Sequence, residues 1–285
     1  MRRLIVNADD FGLTSGVNRA ISEANQRGIV SSATIMANSR AFGEAAAIAS
    51  AQPSLHTGCH VVLIDGEPIV TEDRSLVPEG GRFRRSLKEF AIAAVRGRID
   101  PVAIESEADA QIAKIQASGL VVTHVDSHKH THMFPHVLRP VLRAAKGRGV
   151  RAVRNPFEPR RAWTGRIITA APGLWLRSCA VMAFNMFAAE FYRAVKGLGM
   201  VTTDGTVGIA VTGKLDERSL LAILGGLPEG TWELVCHPGY SDPDLEAAGT
   251  RLLASRETEL AALTSEETKH ALARQGIQLI SYADL

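Results

Sequence analysis

The chain has 285 residues, of which 46% are hydrophobic and 22% are charged, and its formal net charge is +2. This apolar content excludes an intrinsically disordered chain, because such chains are poor in apolar residues and carry a large net charge. The balance of acidic and basic residues gives no electrostatic basis for a nucleic-acid partner, and we expect none.

Short apolar runs, typical of buried strands, alternate with stretches of helical periodicity along the chain. In chain order the predicted elements are a strand at 4–6, a helix at 15–27, a strand at 32–36, a helix at 41–51, a strand at 55–63, helices at 87–96 and 102–117, a strand at 120–125, a helix at 135–146, strands at 150–153 and 207–211, a helix at 218–224, a strand at 232–236, helices at 256–263 and 267–275, and a strand at 277–282.

This alternation predicts a mainly parallel sheet with helices between its strands. No linker divides the chain, so we expect a single α/β domain over residues 1–285, built as a distorted (β/α) TIM-like barrel. Two segments depart from the pattern. Residues 65–85 are predicted as a long loop, either a surface loop or a substrate lid. Residues 157–200 form an apolar, helix-prone insertion.

The cysteine content and the apolar stretches indicate a cytoplasmic protein. Cys59, Cys179 and Cys236 are too few and too scattered for a disulfide framework. The apolar run at the N-terminus is shorter than a signal peptide requires. The longest apolar stretch, 167–191, is interrupted by polar and charged residues and by Pro172, so it is a poor transmembrane helix.

Five of the nine histidines lie between His124 and His136. This segment begins as a predicted strand and ends before a helix that starts with proline, so it is a loop at the carboxyl end of a strand. Barrel active sites are built from such loops. With Asp126 in the same segment, the pattern favours a metal or proton-transfer site over a solvated histidine-rich loop.

Two adjacent carboxylates, Asp9 and Asp10, follow the first predicted strand. Carboxylates this close resist ionising together unless a cation neutralises one of them. We therefore expect one to bind a metal ion and the other to act as a general base. The alternative is a pair of turn or helix-capping residues.

His60, Arg154 and His237 lie at the carboxyl ends of three other predicted strands. In a parallel sheet these ends converge on one face, so we expect these side chains to join the two carboxylates. One aspartate with two histidines leaves coordination positions open, which is typical of a catalytic rather than a structural metal site. Side-chain alternation places Cys59 and Cys236 on the other side of their strands.

The motifs at these positions resemble those of the YdjC-type carbohydrate deacetylases. The resemblance is carried by residues 7–12 (Asn-Ala-Asp-Asp-Phe-Gly), 58–60 (Gly-Cys-His) and the histidine-rich segment 126–134. Residues 232–239, which end in His-Pro-Gly, extend it. Together with residues 255–260, they are most similar to the branch of the family that is associated with hopanoid biosynthesis.

The resemblance implies a distorted barrel that uses one divalent metal ion to remove the N-acetyl group of an amino sugar. By position it implies Asp10, His60 and His128 as metal ligands, Asp9 as general base and His237 as general acid. His132 is an alternative ligand or a substrate contact, and Asp126 would orient a ligand. Arg154 would keep Asp9 ionised or bind a sugar hydroxyl. Zn²⁺, Mg²⁺, Mn²⁺, Co²⁺ and Fe²⁺ all accept such ligands.

The insertion at 157–200 contains Trp163, Trp175 and four of the nine phenylalanines. One hypothesis is an apolar wall, or a surface docked on a membrane, that holds the lipid of an N-acetylglucosaminyl hopanoid, with Trp175 in contact with it. The other is a helical pair that completes the core or forms a homodimer interface.

Four other functions use the same residue types. They are a chitooligosaccharide deacetylase, a phosphoesterase-like metallohydrolase with two metal ions, a two-histidine-one-carboxylate iron oxygenase, and a non-catalytic sugar- or lipid-binding protein with a structural metal.

Overall fold

The structure, a computed structural model, describes residues 1–70, 73–78, 80–158 and 184–285. Eight strands form one sheet in which every pairing is parallel. The strands are β1 (Arg2–Phe11), β2 (Ser32–Ile35), β3 (His56–Val61), β4 (His124–Ser127), β5 (Ala152–Val153), β6 (Gly205–Val207), β7 (Gly230–Cys236) and β8 (Ile277–Ile280).

Ten α-helices lie in the described part of the chain. They are α1 (Ser15–Arg27), α2 (Phe42–Ala51), α3 (Leu87–Val95), α4 (Pro101–Ala117), α5 (Pro135–Gly147), α6 (Ala188–Gly197), α7 (Glu217–Gly226), α8 (Pro243–Ala247), α9 (Ser255–Thr264) and α10 (Glu266–Arg274). Their apolar faces pack on the strands to form the main hydrophobic core.

The strand order is β5-β4-β3-β2-β1-β7-β6, and β8 pairs with the start of β1. The sheet curls, and backbone hydrogen bonds connect segments near its two edges. Val153 N donates to Val201 O at 3.0 Å, and Thr206 N donates to Phe157 O at 3.1 Å. The expectation of a distorted TIM-like α/β barrel is therefore confirmed.

Helix starts are well marked in the sequence because capping side chains and prolines fix them. Thr14 caps α1 by accepting a hydrogen bond from Val17 N, and Asp100 caps α4 in front of Pro101. Strand ends are less well marked. The strand predicted at 207–211 is wrong in position, because β6 ends at Val207 and Gly208 turns the chain with a left-handed φ of 99°.

The strand predicted at 120–125 begins late, at His124, and runs on to Ser127. Its pairing explains the shift, because Val125 lies opposite Cys59 and Asp126 opposite His60 in β3. Val121, which the prediction placed inside the strand, is 76% exposed.

Residues 159–183 of the apolar insertion, with Trp163 and Trp175, lie outside the described residues. The described remainder is a short 3₁₀ helix at Phe184–Phe187 followed by α6. Phe184 and Phe187 each pack edge-on against Phe134, with ring centroids 6.1 Å apart. Among the described residues, none of the helices combines the length and the apolar character needed to cross a membrane.

Candidate active site

The carboxyl ends of five strands bring the polar side chains expected from the sequence into one buried cluster. Its members are Asp9 and Asp10 of β1, His60 of β3, Asp126 and His128 at the end of β4, Arg154 after β5, and His237 after β7.

A bulge near the end of β1 lets two consecutive aspartates serve the same site. Side chains normally alternate between the faces of a strand. The register of β1 against β2 shifts between Ala8 and Phe11, and Asp10 adopts a left-handed φ of 67°. An extra residue of this kind re-aims a side chain, and such bulges are common beside active sites.

Three side-chain atoms that can bind a metal ion, at the ends of β1, β3 and β4, face one another. Asp10 Oδ1 lies 3.6 Å from His60 Nε2 and 3.3 Å from His128 Nδ1, and the two histidine nitrogens are 3.4 Å apart. Ligand atoms that share one divalent ion at about 2.0–2.2 Å lie roughly 2.8–3.6 Å from one another. Asp10 Oδ1 is buried and has no hydrogen-bond partner among the described residues. The three side chains therefore fit one divalent ion.

Asp126 fixes the orientation of His60. Its Oδ1 lies 2.7 Å from His60 Nδ1, so Nδ1 donates to this carboxylate and Nε2 is the ring nitrogen that faces Asp10 and His128. Burial opposes a charge on His60, but the carboxylates of Asp126, Asp9 and Asp10 outweigh it and raise its pKa to about 9. The same negative field favours a cation at this position.

His128 is held by a strained turn. Lys129 and His130, which follow it, have left-handed φ values of 54° and 53°. Such conformations cost about 1–3 kcal/mol each in residues other than glycine and cluster at functional sites. Lys129 Nζ donates to Asp65 Oδ2 at 2.8 Å, so an ion pair joins this turn to the start of the loop at 65–85.

Asp9 is bound by a buried guanidinium. Arg154 Nη1 donates to Asp9 Oδ2 at 2.9 Å, and Nη2 donates to Oδ1 at 2.6 Å. Burial raises the pKa of Asp9, but Arg154 outweighs this and keeps it below its ordinary value. Arg154 also pairs with Asp126 and Glu233 and is fully buried. Of the two roles expected for Arg154, these contacts support the one that keeps Asp9 ionised. They give no support for a contact with a sugar hydroxyl.

His237 also lies close to Asp9. Its Nε2 lies 3.8 Å from Asp9 Oδ2, and its backbone N–H donates to Glu259 Oε2 at 2.6 Å. The same oxygen is 3.9 Å from His237 Nδ1. Burial lowers the pKa of His237 to about 4 and raises that of Glu259 to about 7.

His132, expected as an alternative ligand or a substrate contact, lies apart from the three donors. Its Nδ1 is 2.6 Å from Ser127 Oγ and its Nε2 is 3.2 Å from Arg154 O, and the side chain is fully buried. Both ring nitrogens are thus engaged with the protein. Trp175 lies outside the described residues.

Sequence reasoning missed five side chains that hold the cluster in place: Asn7, Thr34, Glu233, Arg256 and Glu259. Glu233 left a usable signal, because it is a single charged residue inside the apolar strand β7. Arg256 and Glu259 lie in the segment 255–260 that carries part of the resemblance, but their spacing did not indicate a role in the site, since buried charges three residues apart on a helix look like an ordinary solvated face. Their contacts depend on how α9 packs against β7 and β1.

The strands and the cluster define a TIM-like barrel whose carboxyl face carries an Asp-His-His set beside a buried aspartate–arginine pair. Comparison with known families agrees with this class. The family described as YdjC-like protein matches residues 3–274, and the chain belongs to this family.

Two curated relatives, both named carbohydrate deacetylase, match nearly the whole chain. The one from Brevibacillus brevis is 34% identical over 284 residues, which cover 99% of this chain and 99% of the relative. The one from Geobacillus stearothermophilus is 36% identical over 284 residues, which cover 99% and 98%. A solved structure from Enterococcus faecalis, described as a candidate cellobiose-phosphate cleavage protein, has a TM-score of 0.80 at 27% identity and covers 99% of this chain and 98% of that one.

Proposed function

We propose that this protein is a metal-dependent carbohydrate deacetylase that hydrolyses the N-acetyl group of an N-acetylglucosamine-type sugar. The observation that carries the proposal is the set of three facing donor atoms on Asp10, His60 and His128, next to Asp9 and His237. The names of the two curated relatives, which match over almost their whole length, support the same reaction class.

Asp10, His60 and His128 would hold one divalent ion. Such an ion supplies Lewis-acid polarisation of a carbonyl and lowers the pKa of water from 15.7 toward about 7. A second group of close side chains consists of Asp9, His60 and Asp126, and Arg154 already pairs with both of its carboxylates. The geometry therefore favours one ion over the two that a phosphoesterase usually needs.

Asp9 is the proposed general base. Arg154 keeps it ionised and fixes its plane, and Oδ2 has a further lone pair for a water proton beside the bond that it accepts from Arg154. Asp9 takes one proton from the water that attacks the acetamide carbonyl. Oriented proton transfer of this kind contributes about 10²–10⁴-fold to a rate.

His237 is the proposed general acid for the leaving nitrogen. Burial keeps the ring neutral at rest, with a pKa of about 4. The proton that it delivers is therefore the one that Asp9 removed from water. Because Oδ2 and Nε2 are 3.8 Å apart, this proton passes through one bridging water, or after the two side chains close to hydrogen-bond distance. The C–N bond then breaks as the amine nitrogen receives this proton, and acetate and the free amino sugar leave.

We further propose a lipid-linked substrate, an N-acetylglucosaminyl hopanoid. Support comes from the apolar insertion, whose described end lies near the site. Phe184 and Phe187 pack on Phe134, one residue beyond the turn that begins at His128. Met186, between them, is 75% exposed. A chitooligosaccharide is the alternative substrate of the same chemistry.

The test measures acetate release from an N-acetylglucosaminyl lipid and from a chitooligosaccharide, with and without chelator. We expect release that the chelator abolishes and a divalent ion restores. Chelator-resistant release would contradict the metal dependence. Binding without release from either substrate would instead indicate a non-catalytic sugar-binding protein.

A double substitution separates the two substrates. In Trp175→Ser/Phe187→Ser we expect KM to rise for the lipid-linked sugar and to stay unchanged for the free oligosaccharide, since each buried CH₂ contributes about 0.8 kcal/mol. Val121→Ser is the control, because Val121 is exposed before the amino end of β4, opposite the site. A wild type that prefers the free sugar would contradict the lipid proposal.

A further inference from the structure

Arg256 is a buried cation that contacts the candidate metal ligand Asp10 from the side away from the two histidines. It lies in the first turn of α9 and is fully buried. Its Nη2 donates to Asp10 Oδ2 at 2.6 Å, and its Nε donates to Leu252 O at 3.0 Å. Asp10 thus has one oxygen bound by Arg256 and the other, Oδ1, facing His60 and His128.

The glycine of the His-Pro-Gly motif makes room for this arginine. A Cβ at Gly239 would lie 2.7 Å from Arg256 Cδ and 3.2 Å from its Cβ. Gly239 N also donates to Arg256 O at 3.3 Å. The loop that carries His237 therefore packs directly on the arginine stem, and only a residue without a side chain allows this approach.

We infer that Arg256 is a positioning residue that restricts Asp10 to binding the ion through Oδ1 alone. The inference rests on the proposed function, because it concerns the same ion. A carboxylate that offers one oxygen beside two histidines suits a compact transition-metal ion, whereas one that offers both oxygens suits Ca²⁺. Arg256 would thereby set both the affinity for the ion and the choice among ions.

Two effects of removing Arg256 oppose each other. Loss of the hydrogen bond frees Asp10 Oδ2 to rotate toward the ion, which weakens binding of a compact ion. Loss of the positive charge removes repulsion and would strengthen binding. The short contact between Nη2 and Oδ2 argues that the geometric effect is larger, since losing a partner that orients a ligand typically costs about 10–100-fold in metal affinity.

The experiment measures dissociation constants of Co²⁺, Zn²⁺ and Ca²⁺ by titration of the metal-stripped full chain, together with the visible absorption of the Co²⁺ form. Arg256→Met and Arg256→Lys are compared with wild type. Arg251→Met is the control, because Arg251 is exposed and lies just before α9. Gly239→Ala is a second variant that keeps every charge and presses mainly on the arginine stem, with a weaker contact to Val17 Cγ2 at 3.2 Å.

In Arg256→Met we expect about 10–100-fold weaker Co²⁺ and Zn²⁺ binding, a changed Co²⁺ spectrum and relatively stronger Ca²⁺ binding. Arg256→Lys should fall between this variant and wild type, and Arg251→Met should match wild type. If Arg256→Met does not fold, the same shifts in Gly239→Ala support the inference, and their absence there overturns it.

Unchanged or tighter Co²⁺ binding in folded Arg256→Met would overturn the inference while leaving the proposed function intact. Failure of the wild-type chain to bind any of the three ions would overturn the proposed metal dependence, and the inference with it.

Discussion

Asp9 and Asp10 are neighbours in the sequence but have different partners in the structure. Arg154 binds both oxygens of Asp9, whereas Arg256 binds one oxygen of Asp10 and leaves the other facing two histidines. Burial raises the pKa of Asp10, but Arg256 and His128 outweigh it and hold the pKa well below its ordinary value. Each aspartate thus has its own cation, and the two can be ionised together.

Because the two aspartates have different partners, we expect substitution of the base to lower the rate and substitution of a metal ligand to remove the ion. Asp9→Asn should keep the ion and lose about 10²–10⁴-fold in kcat, because only the base is removed. His128→Ala should lose the ion itself. Metal content and kcat of the purified variants are the measurements. Turnover of Asp9→Asn at the wild-type rate would contradict the assignment of the base.

His128 is a better choice than Asp10 for the metal-loss variant. Removing Asp10 would leave Arg256 buried without its carboxylate, which typically destabilises a protein by about 3–5 kcal/mol. His128 is 19% exposed and its removal leaves no buried charge unpaired among the described residues. A loss of metal in His128→Ala therefore reports the ligand rather than the fold.

The raised pKa of Glu259 predicts that the free energy of unfolding depends on pH. Burial raises its pKa from 4.5 to about 7, so between these values the folded state holds a proton that the unfolded state has released. The stabilisation is complete below pH 4.5 and is lost as the pH rises through 7, by up to about 3 kcal/mol. Urea unfolding of metal-stripped protein between about pH 5 and 8 measures it.

The variant Glu259→Gln isolates this contribution. It removes the titration, so the free energy of unfolding of wild type minus that of the variant should fall as the pH rises. Glutamine has one acceptor oxygen where glutamate has two, so the variant loses one of the hydrogen bonds from His237 N and Gly213 N, and this adds an offset that does not depend on pH. Parallel stability curves for the two proteins would show that Glu259 does not titrate in this range.

At the scale of elements, β3 and β4 are joined by a close contact between a glycine and a histidine. A Cβ at Gly58 would lie 2.5 Å from the ring of His124. This ring stacks on Tyr282, and its Nε2 is 3.1 Å from Asn7 Oδ1, while the Asn7 amide donates to Asp9. The glycine thus allows the packing that supports the proposed base.

Gly58→Ala should therefore destabilise the protein by about 1–3 kcal/mol through overpacking. Gly43→Ala is the matched control. Gly43 is exposed in α2, and a Cβ added there would meet no described atom within 4 Å. Because alanine is the better helix former, this change should be neutral or stabilising. Urea midpoints compare the two variants, and equal midpoints would contradict the packing argument.

Helix bounds are largely predictable from the sequence because caps and periodicity are local features. The structure of α1 matches its predicted bounds, 15–27, since Thr14 and the apolar spacing are both visible in the sequence. The bulge in β1 and the left-handed turn at Lys129 and His130 are not predictable in this way. Both depend on pairing between strands and on contacts such as that of Lys129 with Asp65.

At the scale of the whole molecule, the parallel topology makes the convergence of the site predictable. Strand ends of a parallel barrel meet on one face, so Asp10, His60 and His128 can be grouped before any distance is known. The surrounding charges cannot be grouped in this way. Glu233 reaches Arg154 from β7 and Arg256 reaches Asp10 from α9, and only the packed barrel brings these pairs together.

A bound ion should tie together parts of the barrel that are far apart in the sequence. Its three donors come from β1, β3 and the turn after β4, which the unfolded chain does not hold in place. Binding to the folded state alone stabilises it by about 2.7 kcal/mol at a free concentration about 100-fold above Kd. We expect this gain in the free energy of unfolding when Zn²⁺ or Co²⁺ is added to metal-stripped protein.

His128→Ala should lose this gain, because one of the three donors is gone. His270→Ala should keep it, since His270 is an exposed histidine of α10 outside the cluster and controls for the loss of any imidazole. Urea unfolding with and without the ion measures both variants. An equal gain in His128→Ala would place the stabilising ion somewhere other than between the ends of β1, β3 and β4.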